Sequence, residues 1–118
     1  MPSSPSRQLV ALPNPHPGRD YEVCCSTPEF TCVCPRTGQP DFATVTVVYV
    51  PGDSIVELKS LKLYLWSFRD EGTFHEDVTN RMLDDLVSAI APRRMTVTTN
   101  WLPRGGIATS VVAAYPDV

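Results

Sequence analysis

Prolines set the boundaries of the ordered elements in this 118-residue chain. The segment Phe42–Val50 reads FATVTVVYV, a β-branched and partly alternating run between Pro40 and the Pro51-Gly52 turn. A run of this kind between turn signals predicts a strand. A shorter strand over Glu29–Val33 is expected before it, and the loop 34–41 would join the two strands as a hairpin.

Helical periodicity replaces strand periodicity in the middle of the chain. Leu58–Arg69 contains neither Gly nor Pro and carries apolar residues at helical spacing, which predicts a first helix. Apolar residues recur four apart from Thr73 to Ile90, which predicts a second helix that Pro92 ends. Two further strands, Met95–Leu102 and Ile107–Ala113, would pair across the Pro-Arg-Gly-Gly turn between them.

The predicted fold class is α+β, with an antiparallel four-stranded sheet and two helices on one face. The order of elements is β-hairpin, two helices, β-hairpin. Residues 1–19 contain five prolines and predict a flexible N-terminal tail, whereas residues 20–118 have the length of a single domain. Because the edges of a four-stranded sheet can pair with another copy, a homo-oligomer is expected.

Composition narrows the class of protein. The formal net charge is −3, which disfavours direct binding of nucleic acid. No apolar run approaches the roughly 20 residues of a membrane helix, and no secretory signal is recognisable, so a cytoplasmic protein without membrane contact is expected. Cys24, Cys25, Cys32 and Cys34 are spaced differently from typical zinc ligands, so no metal is predicted and a structural zinc module remains a distant alternative.

The loop after Cys34 is the first candidate for chemistry. A thiolate is a nucleophile, and the positive charge of Arg36 would favour the thiolate form. Asp41, at the far end of this proline-braced loop, could exchange a proton with the attacked group. Taken alone, the stretch fits an inert buried cysteine and a turn-forming aspartate better than a reactive pair.

Cationic residues at the start of the first helix form a second candidate site. Lys59 and Lys62 are three residues apart and therefore share one helical face. An anion such as a cofactor phosphate would gain from both ammonium groups and from the helix N-terminus. A solvated face with lysine stems over apolar surface is the alternative, and in isolation it is favoured.

The third candidate lies at the start of the second helix. Glu76 could accept two parallel N–H bonds from a guanine-like edge, Phe74 could stack on such a ring, and His75 could transfer a proton near neutral pH. Thr73 and Glu76 also match a capping box, which locally is the stronger interpretation. Arg104 in the Gly-flanked turn suits phosphate binding, although an exposed turn arginine is the simpler alternative.

Four stretches together resemble the short form of the QueF family of NADPH-dependent 7-cyano-7-deazaguanine reductases. They are CPRTGQPDF from Cys34, ELKSLKLY from Glu57, FHED from Phe74 and PRGG from Pro103. The resemblance runs from about residue 20 to the C-terminus. It implies the tunnelling fold, in which subunits join their sheets around a tunnel. It also implies the four-electron reduction of a nitrile to a primary amine, with NADPH as the cofactor, for queuosine in tRNA.

The resemblance also implies a role for each candidate residue. Cys34 would form a covalent thioimide with the nitrile carbon, Asp41 would protonate the nitrile nitrogen, and His75 would assist proton delivery. The implied substrate-binding residues are Glu76, Phe74 and Glu57. The implied NADPH-binding residues are Lys59, Ser60, Lys62 and Arg104.

Two other functions stay open from the sequence. An amidine-forming relative could act on the same nitrile through the same cysteine without NADPH. A non-catalytic purine- or pterin-binding oligomer of the same fold would need neither the thiolate nor the cofactor. The stretch from Glu57 to Tyr64, which carries the implied cofactor contacts, favours the reductase.

Overall fold

A computed structural model describes residues 3–117 and contains six strands and two helices within that range. The elements in chain order are β1 (Ala11–Pro13), β2 (Val23–Val33), β3 (Pro40–Val50), β4 (Ser54–Val56), α1 (Leu58–Trp66), α2 (His75–Ile90), β5 (Arg94–Arg104) and β6 (Ile107–Tyr115). The predicted α+β class is confirmed. The strands extend further than predicted, whereas α1 ends at Trp66 rather than at Arg69.

The main sheet has four antiparallel strands in the order β2-β3-β5-β6. Its two central strands, β3 and β5, are separated in sequence by both helices and pair with Val45 opposite Thr99. Burial alternates along β3, with Val45 and Val47 covered and Thr44 and Thr46 less so. This period of two directs one face of the sheet toward the helices.

Both helices cover that same face. Val78, Met82, Leu86 and Ile90 of α2 are buried in the core against β5 and β6, as their spacing predicts. The helix ends at Ala91, which has a left-handed φ of 45° and precedes Pro92. α1 packs beside β2 at the other side of the sheet. Within residues 3–117, both helices fall short of the length and apolarity that crossing a bilayer requires.

A second sheet corrects the expectation that there is only one. β1 pairs antiparallel with β4, which places Leu12 opposite Ile55. The sequence pattern missed both strands because each has only three residues, too few to display a periodicity.

The N-terminal segment also differs from the predicted flexible tail. Asn14 is buried, donates through Nδ2 to the Gly52 carbonyl at 2.7 Å, and accepts from the Tyr21 hydroxyl at 2.5 Å. Arg7 forms an ion pair with Glu71 and lies over the ring of Phe68. Prolines favour extended backbone, and here the extended segment lies along the domain instead of projecting from it.

The last hairpin turns at two glycines. Gly105 and Gly106 have φ values of 58° and 80°, and Arg104 pairs with Ile107 across them. Positive φ at both central residues is typical of a type I′ turn. Pro103 lies outside the turn, where the register between Trp101 and Arg104 shifts. Arg104 therefore lies at the end of β5, where its side chain reaches the loop between β2 and β3.

Candidate active site

The loop that begins at Cys34 is closed by its own backbone. The Cys34 amide donates to the Gln39 carbonyl at 2.8 Å, and the Gly38 amide donates to the Cys34 carbonyl at 2.9 Å. Gly38 has a φ of 74°, a conformation that favours glycine. The loop therefore holds the Cys34 thiol at a fixed place at the end of β2.

The thiol of Cys34 is only 9% exposed, and hydrogen bonds stabilise its ionised form. Hydrogen bonds from the Thr37 and Arg104 side chains, and further ones from the backbone of Arg36 and Thr37, lower the pKa of Cys34 to about 6. At neutral pH the group is therefore mainly a thiolate, which is the nucleophilic form. The side-chain charge at the sulfur comes from Arg104; Arg36, which the sequence suggested, contributes its backbone instead.

Asp41 is the second residue of strand β3, and its carboxylate is buried, with the residue 4% exposed. It lies directly opposite Cys32 across the β2–β3 pair. Arg104 compensates its charge, with Nε 3.2 Å from Oδ1, and Nη2 of the same guanidinium donates to Thr37 Oγ1 at 3.2 Å. Asp41 Oδ1 has no aligned hydrogen bond within the described residues. Arg104 thus connects the predicted acid and the predicted nucleophile.

His75 brings an imidazole to the same carboxylate. Its Nε2 lies 3.2 Å from Oδ2 of Asp41. Its ring stacks on the indole of Trp101, with centroids 3.9 Å apart and planes 7° from parallel. Sequence reasoning missed Trp101, because nothing local signals that a strand residue will meet a helix residue 26 positions earlier.

The start of α2 leaves two of the predicted substrate-binding residues open. Phe74 is the N-cap residue and its side chain is 54% exposed. Glu76 is exposed, and its carboxylate has no hydrogen bond or ion pair within residues 3–117. The capping box is therefore absent, because Thr73 lies before the cap and contacts Asp77 instead. Glu76 therefore does not cap the helix, which was the strongest alternative interpretation of this residue.

The start of α1 changes two of the predicted roles. Glu57 is the N-cap residue, and its carboxylate accepts from the Ser60 amide at 2.5 Å. Ser60 is buried and its hydroxyl accepts from the amide of Val10. The predictions that Glu57 contacts substrate and Ser60 contacts NADPH gain no support from these contacts. Lys59 and Lys62 remain exposed on the helix.

An apolar cavity of about 380 Å³ lies between α1 and strands β2 and β3. Phe30, Leu61 and Trp66 contribute to its walls, and Lys62 and Arg69 bring positive charge to it. Cys34, Asp41 and His75 do not line this cavity. In one chain, the lysine face and the thiol therefore occupy separate parts of the surface.

The remaining cysteines are free thiols with a different character. Burial, followed by the charges of Asp41 and Cys34, raises the pKa of Cys32 to about 12. Burial also raises the pKa of Cys25. Within residues 3–117, no three His, Cys, Asp or Glu side chains converge as a metal site would require. The pKa of Cys34 is lowered, in contrast to the raised pKa values of Cys25 and Cys32.

A thiol of low pKa, a buried carboxylate and an imidazole lie in one region of this α+β domain. These are the functional groups of an enzyme that uses a nucleophilic cysteine. Comparison with known families is specific. Residues 40–118 match the family model described as QueF-like protein. The chain belongs to this family.

Relatives in several bacteria resemble nearly the whole chain. Each is named NADPH-dependent 7-cyano-7-deazaguanine reductase. The protein of Thiobacillus denitrificans is 63% identical over 98% of this chain and 83% of its own length. That of Thermomicrobium roseum is 64% identical over 98% and 90%, and that of Anaeromyxobacter dehalogenans 64% over 99% and 96%.

A solved structure supports the fold. The crystal structure of the archaeosine synthase QueF-Like in the apo form superposes with a TM-score of 0.77. It is 26% identical in sequence and covers 82% of this chain and 95% of its own. A TM-score of this size over 82% of the chain shows that the two proteins share one fold.

Proposed function

We propose that the chain is an NADPH-dependent 7-cyano-7-deazaguanine reductase that acts through a covalent bond to Cys34. The product is the 7-aminomethyl compound used in the biosynthesis of queuosine in tRNA. The observation that carries this proposal is the position of one guanidinium, Arg104, which pairs with the Asp41 carboxylate and donates to Thr37 in the loop of Cys34, whose pKa is lowered. The names of the close relatives support the same substrate and cofactor.

The first step uses the side chains that meet at the loop. The Cys34 sulfur adds to the nitrile carbon, a C–S bond forms, and one π bond of the nitrile opens toward nitrogen. The proton that this nitrogen needs is the one shared between His75 Nε2 and Asp41 Oδ2, and the pair passes it to the nitrogen as the nitrogen gains charge. The result is a neutral thioimide, and no atom leaves. A carboxyl group as buried as Asp41 is well placed to exchange a proton away from bulk water.

Glu76 and Phe74 would hold the ring of the substrate. The Glu76 carboxylate is free to accept two N–H bonds from the guanine-like edge, and bidentate bonds to a charged acceptor are strong and directional. Phe74 exposes a ring next to it, suited to stacking on a flat heterocycle. Phe74 caps α2, and His75 and Glu76 are its first two residues. The start of one helix would therefore provide both substrate recognition and proton delivery.

Lys59 and Lys62 would bind the phosphates of NADPH. The donor set fits the cofactor, because both ammonium groups are exposed on the same helix. The helix N-terminus adds less than predicted, since Glu57 already occupies the Ser60 amide. When bound, NADPH supplies the hydrides, and two are needed to convert a nitrile into a primary amine. Arg104 serves the thiol and Asp41 in this scheme rather than a phosphate.

The tunnelling fold and a homo-oligomer complete the proposal. Within residues 3–117, β6 and β2 up to Val33 form the edges of the main sheet, and Val112 on β6 is 64% exposed. Lateral pairing of these edges between copies would extend the sheet around a tunnel. A cytoplasmic location agrees with four free cysteines, because thiols persist in reducing compartments. The partner is a small molecule, with no direct contact to nucleic acid or membrane.

An amidine-forming activity is the second candidate, favoured by the similarity to the archaeosine synthase structure. The two functions share the covalent step and differ in the use of NADPH. Incubation with 7-cyano-7-deazaguanine and NADPH should decrease the absorbance at 340 nm, and Cys34→Ala should abolish that decrease. A covalent adduct that forms while NADPH is never oxidised would reject the reductase and favour the second candidate.

A further inference from the structure

Two buried threonines connect the elements that carry His75 and Trp101. Thr79 on α2 and Thr99 on β5 are fully buried, and their hydroxyl oxygens are 2.7 Å apart. Trp101 donates through Nε1 to Thr99 Oγ1 at 2.8 Å. Thr79 donates through Oγ1 to the backbone carbonyl of His75 at 2.7 Å. These bonds form a continuous chain from the indole to the first residue of α2.

The chemistry of the partners fixes the direction of every bond in this chain. An indole N–H can only donate and a carbonyl can only accept. Thr99 must therefore accept from Trp101, and Thr79 must donate to His75. Because each hydroxyl has one proton, the bond between the two threonines runs from Thr99 to Thr79. Each hydroxyl donates once and accepts once.

Both ends of this series of hydrogen bonds contact His75. At one end the indole of Trp101 lies parallel to the imidazole, with centroids 3.9 Å apart. At the other end Thr79 holds the carbonyl of His75. Ring and backbone are thus fixed together, with Nε2 directed at Asp41 Oδ2, 3.2 Å away. Loss of the hydroxyl of Thr99 would leave the indole N–H without an acceptor and the Thr79 oxygen without a donor in a buried site.

We propose that Thr79 and Thr99 are positioning residues, which hold His75 in the orientation that lets it act with Asp41. The inference rests on the proposed function, because that function gives His75 its role in proton delivery. Within residues 3–117, the threonine hydroxyls bond to each other, to Trp101 and to His75, and not to Cys34 or Asp41. Their effect therefore reaches the substrate only through His75.

Thr99→Val tests the proposal with almost no change in side-chain shape. We expect kcat to fall about 10- to 100-fold because proton delivery loses its alignment, whereas KM for the nitrile stays within about threefold. Alkylation of Cys34 should keep its wild-type rate. Thr99→Ser restores the hydroxyl and should restore kcat. Thr98→Val is the matched control, since Thr98 lies on the same strand and faces the other side of the sheet.

Proton NMR of the imidazole provides a readout that needs no turnover. The chain has two histidines, so a His16→Gln background leaves the ring signals of His75 alone. Stacking on Trp101 should move these signals upfield through the indole ring current. Thr99→Val should reduce that displacement, and Thr99→Ser and Thr98→Val should preserve it. Thr79→Val removes the other hydroxyl and leaves the indole in place, and it serves the same test if Thr99→Val does not fold.

The outcomes separate this inference from the proposed function. Wild-type kcat and an unchanged upfield displacement in Thr99→Val would overturn the positioning role. Equal losses in Thr98→Val would overturn it as well, because the effect would then be general to the strand. A wild-type protein that never oxidises NADPH would overturn the proposed function instead, whatever the NMR signals of the variants.

Discussion

The guanidinium of Arg104 is the residue-scale feature that distinguishes Cys34 from the other three cysteines. It pairs with Asp41 and donates to Thr37, and hydrogen bonding from Thr37 and then from Arg104 lowers the pKa of the Cys34 thiol. A cation and donors at a thiol favour the ionised form. The reactivity of Cys34 therefore depends on a contact between its own loop and the end of β5, which lie far apart in the sequence.

The first prediction concerns the pH dependence of Cys34 reactivity. The pKa of Cys34 is lowered to about 6, so the thiolate predominates above that pH and alkylation should reach its plateau by about pH 7. Arg104→Gln should raise the pKa of Cys34 by about 1 to 3 pH units, since the cation is lost. Iodoacetamide labelling followed by peptide mass spectrometry measures Cys34 separately from the other thiols.

Arg36→Gln is the matched control for that experiment. It removes the same charge from the loop itself, but Arg36 contributes its backbone to the sulfur and its side chain is exposed. The profile should remain near that of the wild type. A larger shift in Arg36→Gln than in Arg104→Gln would contradict the assigned source of the charge.

The second prediction concerns substrate recognition by Glu76. Glu76→Gln should raise KM for 7-cyano-7-deazaguanine by about 10- to 100-fold, because a hydrogen bond to a charged group is replaced by a weaker one. Steady-state kinetics with NADPH in excess measures it. Asp84→Asn changes an exposed carboxylate on the same helix and should leave KM unchanged. Equal KM values in the two variants would remove Glu76 from the substrate site.

The structure brings together several residues that the sequence singled out, among them Asp41, His75 and Arg104, and gives others, such as Glu57, contacts that the sequence did not predict. Cys34 and Asp41 lie in one short loop, so the sequence could single them out as a candidate pair, although the stretch alone favoured an inert cysteine. Trp101 and the role of Arg104 depend on the register of β5 against β3 and on where the last hairpin turns. Such contacts join distant parts of the chain, so local patterns do not specify them.

At the scale of elements, the N-terminal segment behaves as part of the domain. Its strand β1 pairs with β4, and Asn14 binds the turn between β3 and β4 through Gly52. Composition alone suggested a flexible tail, because prolines are common in disordered segments. Whether the segment is ordered depends on hydrogen bonds to distant backbone groups, which composition cannot reveal.

The third prediction tests this attachment. Asn14→Ala removes bonds to Gly52, His16 and Tyr21 and leaves buried polar groups without partners. The free energy of unfolding should fall by about 1–3 kcal/mol, measured by urea denaturation at fixed protein concentration. Gln8→Ala, at an exposed position, should change it by less than about 0.5 kcal/mol. Equal values for the two variants would indicate that the segment contributes nothing.

Long elements were predicted better than short ones. The spacing of Val78, Met82, Leu86 and Ile90 gave α2 its buried face, and the β-branched run over Phe42–Val50 gave β3. The helix was predicted to start near Thr73, two residues before its actual first residue, His75. The structure places the cap at Phe74, which leaves Glu76 free for a ligand.

At the scale of the whole molecule, the open edges of the main sheet predict self-association. Within residues 3–117, β6 pairs on one side only, and β2 does so except at Val33, which bridges Gly72. Exposed apolar residues lie on β6, among them Ile107 at 70% and Val112 at 64%. The separation of the lysine face from Cys34 in one chain also suggests that neighbouring copies bring the cofactor and the thiol together.

The fourth prediction is therefore about assembly. Sedimentation velocity should give a species several times heavier than one chain. Val112→Glu places a charge on the edge strand and should shift the protein toward monomer without unfolding it, because the side chain is exposed in the single chain. Circular dichroism checks the fold. A wild-type monomer that retains full activity would contradict the proposed oligomer.

The covalent bond to Cys34 is the central claim, and intact-mass spectrometry tests it most directly. Wild-type protein mixed with 7-cyano-7-deazaguanine and no NADPH should gain the full mass of the nitrile, with the label on Cys34. Adding NADPH should remove the label, with two NADPH oxidised for each amine formed. Cys34→Ala should show neither event. NADPH oxidation by Cys34→Ala at the wild-type rate, or a label on another cysteine, would contradict the account.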